Sequence, residues 1–69
     1  MIKVTRLNGK AFYINVELIQ FIEATPDTVI SFTNEVKVVV RESVDEVIER
    51  IIQYRRRVLD GLQTSYTGA

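Results

Sequence analysis

The spacing of apolar residues changes period once along this chain, and the change falls at Ser43-Val44-Asp45-Glu46. Before that tetrapeptide apolar and polar residues alternate, the period of a strand; after it apolar residues recur every three or four, the period of a helix. The tetrapeptide is itself an S-x-x-E capping box, in which Ser43 accepts from the amide of Glu46 while the Glu46 carboxylate reaches back to the amide of Ser43. Strands followed by one terminal helix is therefore the order of the fold, and 69 residues leave room for a single domain.

Five strands are expected, over about 2–7, 11–15, 20–25, 28–33 and 36–41, and a helix over about 44–60. Asn8-Gly9 suits the two positive-φ positions of a type I′ hairpin turn. Asn15 can cap a single helical turn over Val16, Glu17 and Leu18. Pro26-Asp27 and Asn34-Glu35 mark the next two reversals. The fold class is α+β: a small, bent, antiparallel five-stranded β-meander followed by one amphipathic C-terminal helix. Residues 1–62 form the domain, Gly61 is the candidate helix stop, and 63–69 are expected to be a flexible tail.

On the helix Val44, Val47, Ile48, Ile51, Ile52, Val58, Leu59 and Leu62 fall close to one stripe. Glu42, Asp45, Glu46 and Glu49 crowd its start and Arg55, Arg56 and Arg57 its end, which suits the helix macrodipole. Glu46–Arg50 and Arg56–Asp60 have the i,i+4 spacing of ion pairs.

Composition narrows the function classes. Nine basic residues balance nine acidic ones, so no whole-molecule field draws the chain to nucleic acid. The absence of Cys and His removes disulfides, soft-ligand zinc sites, thiol nucleophiles and imidazole acid–base chemistry. No apolar run approaches the roughly 18 residues of a membrane span, and the start carries no secretory pattern, so a cytoplasmic protein is expected. No cofactor or metal is implied. A domain this small, with neither staple, often gains stability by self-association.

The strands carry more apolar surface than one helix can cover. One face presents Ile2, Val4, Phe12, Ile14, Ile22, Ala24, Ile30, Phe32, Val36, Val38 and Val40 as the candidate core. The opposite face still carries Leu7, Tyr13, Phe21, Val29 and Val39 among its polar residues. Either the sheet curls enough to shelter these five, or they form a self-association patch against another copy.

Two further groups invite a functional reading. Arg55, Arg56 and Arg57, with Arg50 and Tyr54, form a candidate partner-binding set that could also grip a phosphate backbone or an anionic membrane surface. The plainer reading is the basic end of a solvated helix, since three consecutive residues point around its axis. Asp45 and Glu49 could serve as paired carboxylates, but they lie in exposed first turns with no partner group, so no catalytic residue is assigned.

The segments Thr5-Arg6-Leu7-Asn8-Gly9, Phe21 to Thr28 and Val40-Arg41-Glu42-Ser43, followed by Glu46-Val47-Ile48, resemble the FlbD family of small bacterial flagellar proteins, whose swarming-motility members are called SwrD. The resemblance runs from Ile2 to about Val58. It departs at Asn34-Glu35, where the family often has Asn-Gly, and it excludes the tail after Leu59. The resemblance implies a non-enzymatic cytoplasmic accessory of flagellar motility, associated with motor function and the supply of rotational power; together with the surplus apolar face it leads to the expectation of a homo-oligomeric protein-binding module near the basal body. Its partners would be itself and a flagellar motor or basal-body protein. The alternatives from the residues are a small nucleic-acid-binding module using Arg55–Arg57, against which the zero net charge weighs, and a membrane-surface adaptor.

Overall fold

Hydrogen bonding divides the five strands between two antiparallel sheets in the computed structural model, which describes the backbone of residues 1–68 and the side chains of residues 1–60. β1 (Ile2–Thr5) pairs with β2 (Ala11–Ile14), and β3 (Ile19–Glu23), β4 (Thr28–Phe32) and β5 (Lys37–Val40) form a three-stranded sheet in that order. The single five-stranded meander is thus corrected, because β2 and β3 do not pair. The cause lies between them. Asn15 Oδ1 accepts from the Glu17 amide at 3.0 Å, fixing a 3₁₀ turn over Val16–Leu18. That turn buries Val16 and swings the chain away from β2. The Leu18 carbonyl then accepts from the Thr33 amide at 2.9 Å, tying the turn to the end of β4.

The sheets rejoin elsewhere. Arg6 and Val40 form an isolated antiparallel bridge, and the Arg41 amide donates to the Thr5 carbonyl at 2.8 Å. The strands therefore bend around one core, broken at β2/β3 and drawn together at β1/β5. Ile2, Val4, Ile14, Val16, Ile30, Val40 and Val47 are buried there, with Phe12, Ile22, Phe32 and Val38 packed against them. Strand alternation accounts for the strand residues of this set, while Val16 enters from the 3₁₀ turn and Val47 from the helix. Two residues assigned to the same face are instead exposed: Ala24 follows β3, and Val36 closes the β4–β5 loop.

Both tight hairpins use one loop. Gly9 donates to the Arg6 carbonyl at 2.9 Å, and Arg6 and Lys10 close the loop at 2.8 Å. Glu35 donates to the Phe32 carbonyl at 2.9 Å, and Phe32 and Val36 close theirs at 2.8 Å. In each the middle asparagine accepts from the amide two residues on, Asn8 from Lys10 at 2.9 Å and Asn34 from Val36 at 3.1 Å. The third loop residue has positive φ, +89° at Gly9 and +69° at Glu35. These are three-residue loops with a left-handed closing position. The type I′ assignment at Asn8-Gly9 is corrected accordingly, because Asn8 spends its side chain on the loop and only Gly9 takes positive φ.

The helix α1 (Val44–Gly68) starts where the capping box places it. Ser43 Oγ accepts from the Glu46 amide at 3.1 Å, and Glu46 Oε1 lies 3.2 Å from Ser43 Oγ. It continues past Gly61 to Gly68 rather than ending near residue 60. A helix-stopping glycine acts by taking left-handed φ; within a continuing helix it only weakens the helix, by about 1 kcal/mol relative to Ala. Val47 is buried and Ile51 and Tyr54 pack on the core, while Ile48, Ile52, Val58 and Leu59 remain well exposed.

Candidate binding groove

The groove between the first hairpin and α1 begins at the edge of β1 that carries no strand ladder, where, among the described residues, Arg41 supplies the one backbone bond, to the Thr5 carbonyl. Only one side of β1 is paired with β2. On the other side Glu42, just ahead of the helix cap, takes over. Its carboxylate accepts from the Thr5 amide and the Thr5 hydroxyl, each at 2.8 Å. One turn into the helix and beyond, Arg50 Nη1 donates at 2.8 Å both to Glu42 and to the Lys3 carbonyl. Two side chains thus stand in for a neighbouring strand along β1, a device that closes an edge against unwanted pairing.

Glu42 is 6% exposed, and burial by itself would raise its pKa. The bonds from Thr5, its own amide and Arg50 outweigh that, and the carboxyl is lowered from 4.5 to about 2. It is a charged, satisfied group at neutral pH, suited to structure rather than proton transfer. In the sequence Glu42 reads as one more acid at the helix start, and Arg50 has the i,i+4 spacing to pair with Glu46. Glu46 is engaged in the cap instead, and Arg50 reaches back to Glu42. No local pattern signals a partner 37 residues away.

Over this closed edge lies a groove of about 580 Å³, within the roughly 300–1,000 Å³ of ligand-sized sites. Lys3 and Thr5 of β1, Tyr13 of β2 and Arg50, Gln53, Tyr54 and Arg57 of α1 line it. Three cations face one carboxylate there, and that carboxylate is already engaged by Arg50, so the groove is electropositive with two tyrosine rings in its walls.

The structure therefore splits the candidate partner-binding set. Arg50, Tyr54 and Arg57 meet at the groove; Arg55 lies 3.4 Å from Glu17, an exposed pair beside a separate notch; Arg56 joins neither group. The expected Arg56–Asp60 pair is not among the ion pairs of the described residues. The candidate self-association patch is divided as well. Phe21, Val29 and Val39 lie on the outer face of the β3–β4–β5 sheet, where Val29 pairs with Val39. Tyr13 belongs to the groove, and Leu7 is in the first hairpin loop, where its carbonyl accepts from Arg41 at 2.8 Å. Asp45 and Glu49 are exposed on α1, and among the described residues no acidic cluster suited to a metal ion occurs. No helix among the described residues is long and apolar enough to cross a membrane.

The family model for FlbD, described as flagellar and swarming motility proteins, matches residues 1–59. The chain belongs to the FlbD family. The match takes in both sheets, the edge closure by Glu42 and Arg50, and every groove residue, so the groove lies wholly within the FlbD part of the chain. It stops in α1, leaving the helix beyond Leu59 outside. No curated protein and no solved structure matches the chain. Membership of the FlbD family gives the chain a part in flagellar and swarming motility.

Proposed function

We propose that this chain is a non-catalytic accessory of flagellar motility that works in the cytoplasm, at the basal body, by binding an acidic segment of a motor or basal-body protein in the groove between the first hairpin and α1. The groove's charge carries this reading. Lys3 and Arg57 are cations with no carboxylate partner among the described residues, and Tyr13 and Tyr54 offer flat apolar surface with polar tips beside them. A peptide carrying Asp or Glu side chains matches both features, and aromatic and arginine side chains are the usual anchors of protein interfaces. The dispersal of Arg55, Arg56 and Arg57 around the helix favours a local protein site over a phosphate-tracking stripe.

The test replaces Lys3 and Arg57 together by Glu in the host cell, with the chromosomal copy as the only source of the protein. Swarming is expected to fall to the level of the deletion strain, while purified protein keeps its circular dichroism and melting temperature. Full swarming with that double variant overturns the reading.

A further inference from the structure

The helix carries a second apolar stripe that the domain leaves uncovered. Ile48, Ile52 and Leu59 are 43%, 39% and 59% exposed. At about 100° per residue they fall within about 40° of one another around the axis, beside the core-facing line of Val47, Ile51 and Tyr54. Charge is distributed unevenly along the same helix. Asp45, Glu46 and Glu49 occupy its first turns and Arg55, Arg56 and Arg57 follow the midpoint of the described side chains. Glu49 and Arg56, seven residues apart, lie on one flank of the stripe about 20° from each other.

We propose that two copies of this chain pair through α1 in antiparallel orientation along this stripe. The arrangement is self-complementary. A two-fold axis between Gln53 and Tyr54 sets Ile48 of each copy against Leu59 of the other, and Ile52 against the aliphatic stem of Arg55. On the flank of the stripe Glu49 of each copy then lies about 3 Å along the axis from Arg56 of the other, so this pair of opposite charges meets twice. A parallel pair would instead stack acid on acid and base on base. A notch of about 230 Å³, lined by Glu17, Tyr54, Arg55, Val58 and Leu59, opens where Ile48 of the second copy arrives. The stripe lies on the side of α1 opposite Arg50, Gln53 and Arg57, and the notch shares only Tyr54 with the groove, so pairing leaves the groove's cations free and the inference stands whether or not the groove binds an acidic peptide.

Sedimentation equilibrium on the full chain over a range of concentrations tests it, with circular dichroism on each variant to confirm the fold. The unaltered protein is expected to be a dimer, and Ile48→Glu to raise the dissociation constant by at least about tenfold, because a carboxylate would be buried without a partner. Leu59→Glu, farther from the core, should do the same and stands in if Ile48→Glu does not fold. Glu49→Arg and Arg56→Glu should each weaken pairing, by roughly threefold to tenfold, and together restore it. A monomer at every concentration overturns the proposal, as does a dimer insensitive to both stripe variants. A dimer lost on Phe21→Asp but kept in Leu59→Glu would place the contact on the outer sheet face and overturn it equally. Failure of the charge swap to restore pairing rules out the antiparallel register.

Discussion

Arg50 Nη1 donates to Glu42 Oε2 and to the Lys3 carbonyl at the same distance, 2.8 Å, so one guanidinium joins the helix, the residue before its cap and the free edge of β1. Glu42 completes the link by accepting from both the amide and the hydroxyl of Thr5. This is how a helix following five short strands becomes fixed to the first of them, and it sets the floor of the groove.

Glu42→Gln keeps the shape and removes the charge. An amide can accept from Thr5, but its NH2 then faces Arg50, which is left without a counter-charge. Breaking a buried pair at one partner typically costs about 3–5 kcal/mol, and the partial exposure of Arg50 places this case near or below the lower end. Urea denaturation should show a fall of about 2–3 kcal/mol, and a variant as stable as the parent would show that the link carries no stability.

The same carboxylate predicts an acid limit. Its pKa is lowered from 4.5 to about 2 on folding, so its contribution is fully present above about pH 5 and is lost as pH falls through about 2. The difference corresponds to the order of 3 kcal/mol at about 1.4 kcal/mol per pH unit. Denaturant midpoints followed between about pH 5 and pH 2 should fall steeply in the parent chain and less steeply in Glu42→Gln. Parallel slopes in the two proteins would count against the assignment.

Thr5→Val separates the two bonds that Thr5 gives to Glu42. The amide bond survives, the hydroxyl bond does not, and the cost should be about 1–2 kcal/mol because the acceptor is charged. The groove wall at Thr5 would become apolar, so binding of an acidic peptide, measured by calorimetry, should not strengthen.

Local chemistry was legible in the sequence and long-range closure was not. The capping box at Ser43–Glu46, the 3₁₀ turn after Asn15 and the inward alternation of Ile2, Val4 and Ile14 all follow from neighbours within four residues. The division into two sheets depends on where the turn at Val16 sends the chain and on Arg6 meeting Val40, 34 positions away, and no periodicity reports either. Glu42 was hidden for the same reason, since an acid before a helix cap reads as exposed until Thr5 and Arg50 are brought to it. The groove unites Arg50, Tyr54 and Arg57 with Tyr13 because the first hairpin packs along α1, which made residues from two separate candidate sets into neighbours.

The cap itself offers a cleaner local test. Ser43 accepts from the Glu46 amide and sits beside its carboxylate, so Ser43→Ala orphans one amide at the start of α1. A loss of about 1 kcal/mol is expected, with Ser43→Asp close to the parent, both measured by thermal unfolding at one protein concentration.

The two hairpin loops make the last prediction, because they are the same loop closed once by glycine and once by glutamate. Gly9 sits at φ +89° without penalty, whereas Glu35 holds φ +69° with a Cβ in the left-handed region. Glu35→Gly should relieve that strain, although a glycine also frees the unfolded chain, and the net gain should be several tenths to about 1 kcal/mol. For a domain of this size that is roughly 2–6 °C in melting temperature. The reverse change, Gly9→Ala, should cost about 1 kcal/mol. A Cβ at Gly9 would stand 3.8 Å from the Arg41 guanidinium, an ordinary contact, so the loss would come from backbone conformation and not from a clash. If Glu35→Gly lowers the melting temperature, the side chain at position 35 contributes an interaction that outweighs its strain, and the equivalence of the two loops ends at their hydrogen bonds.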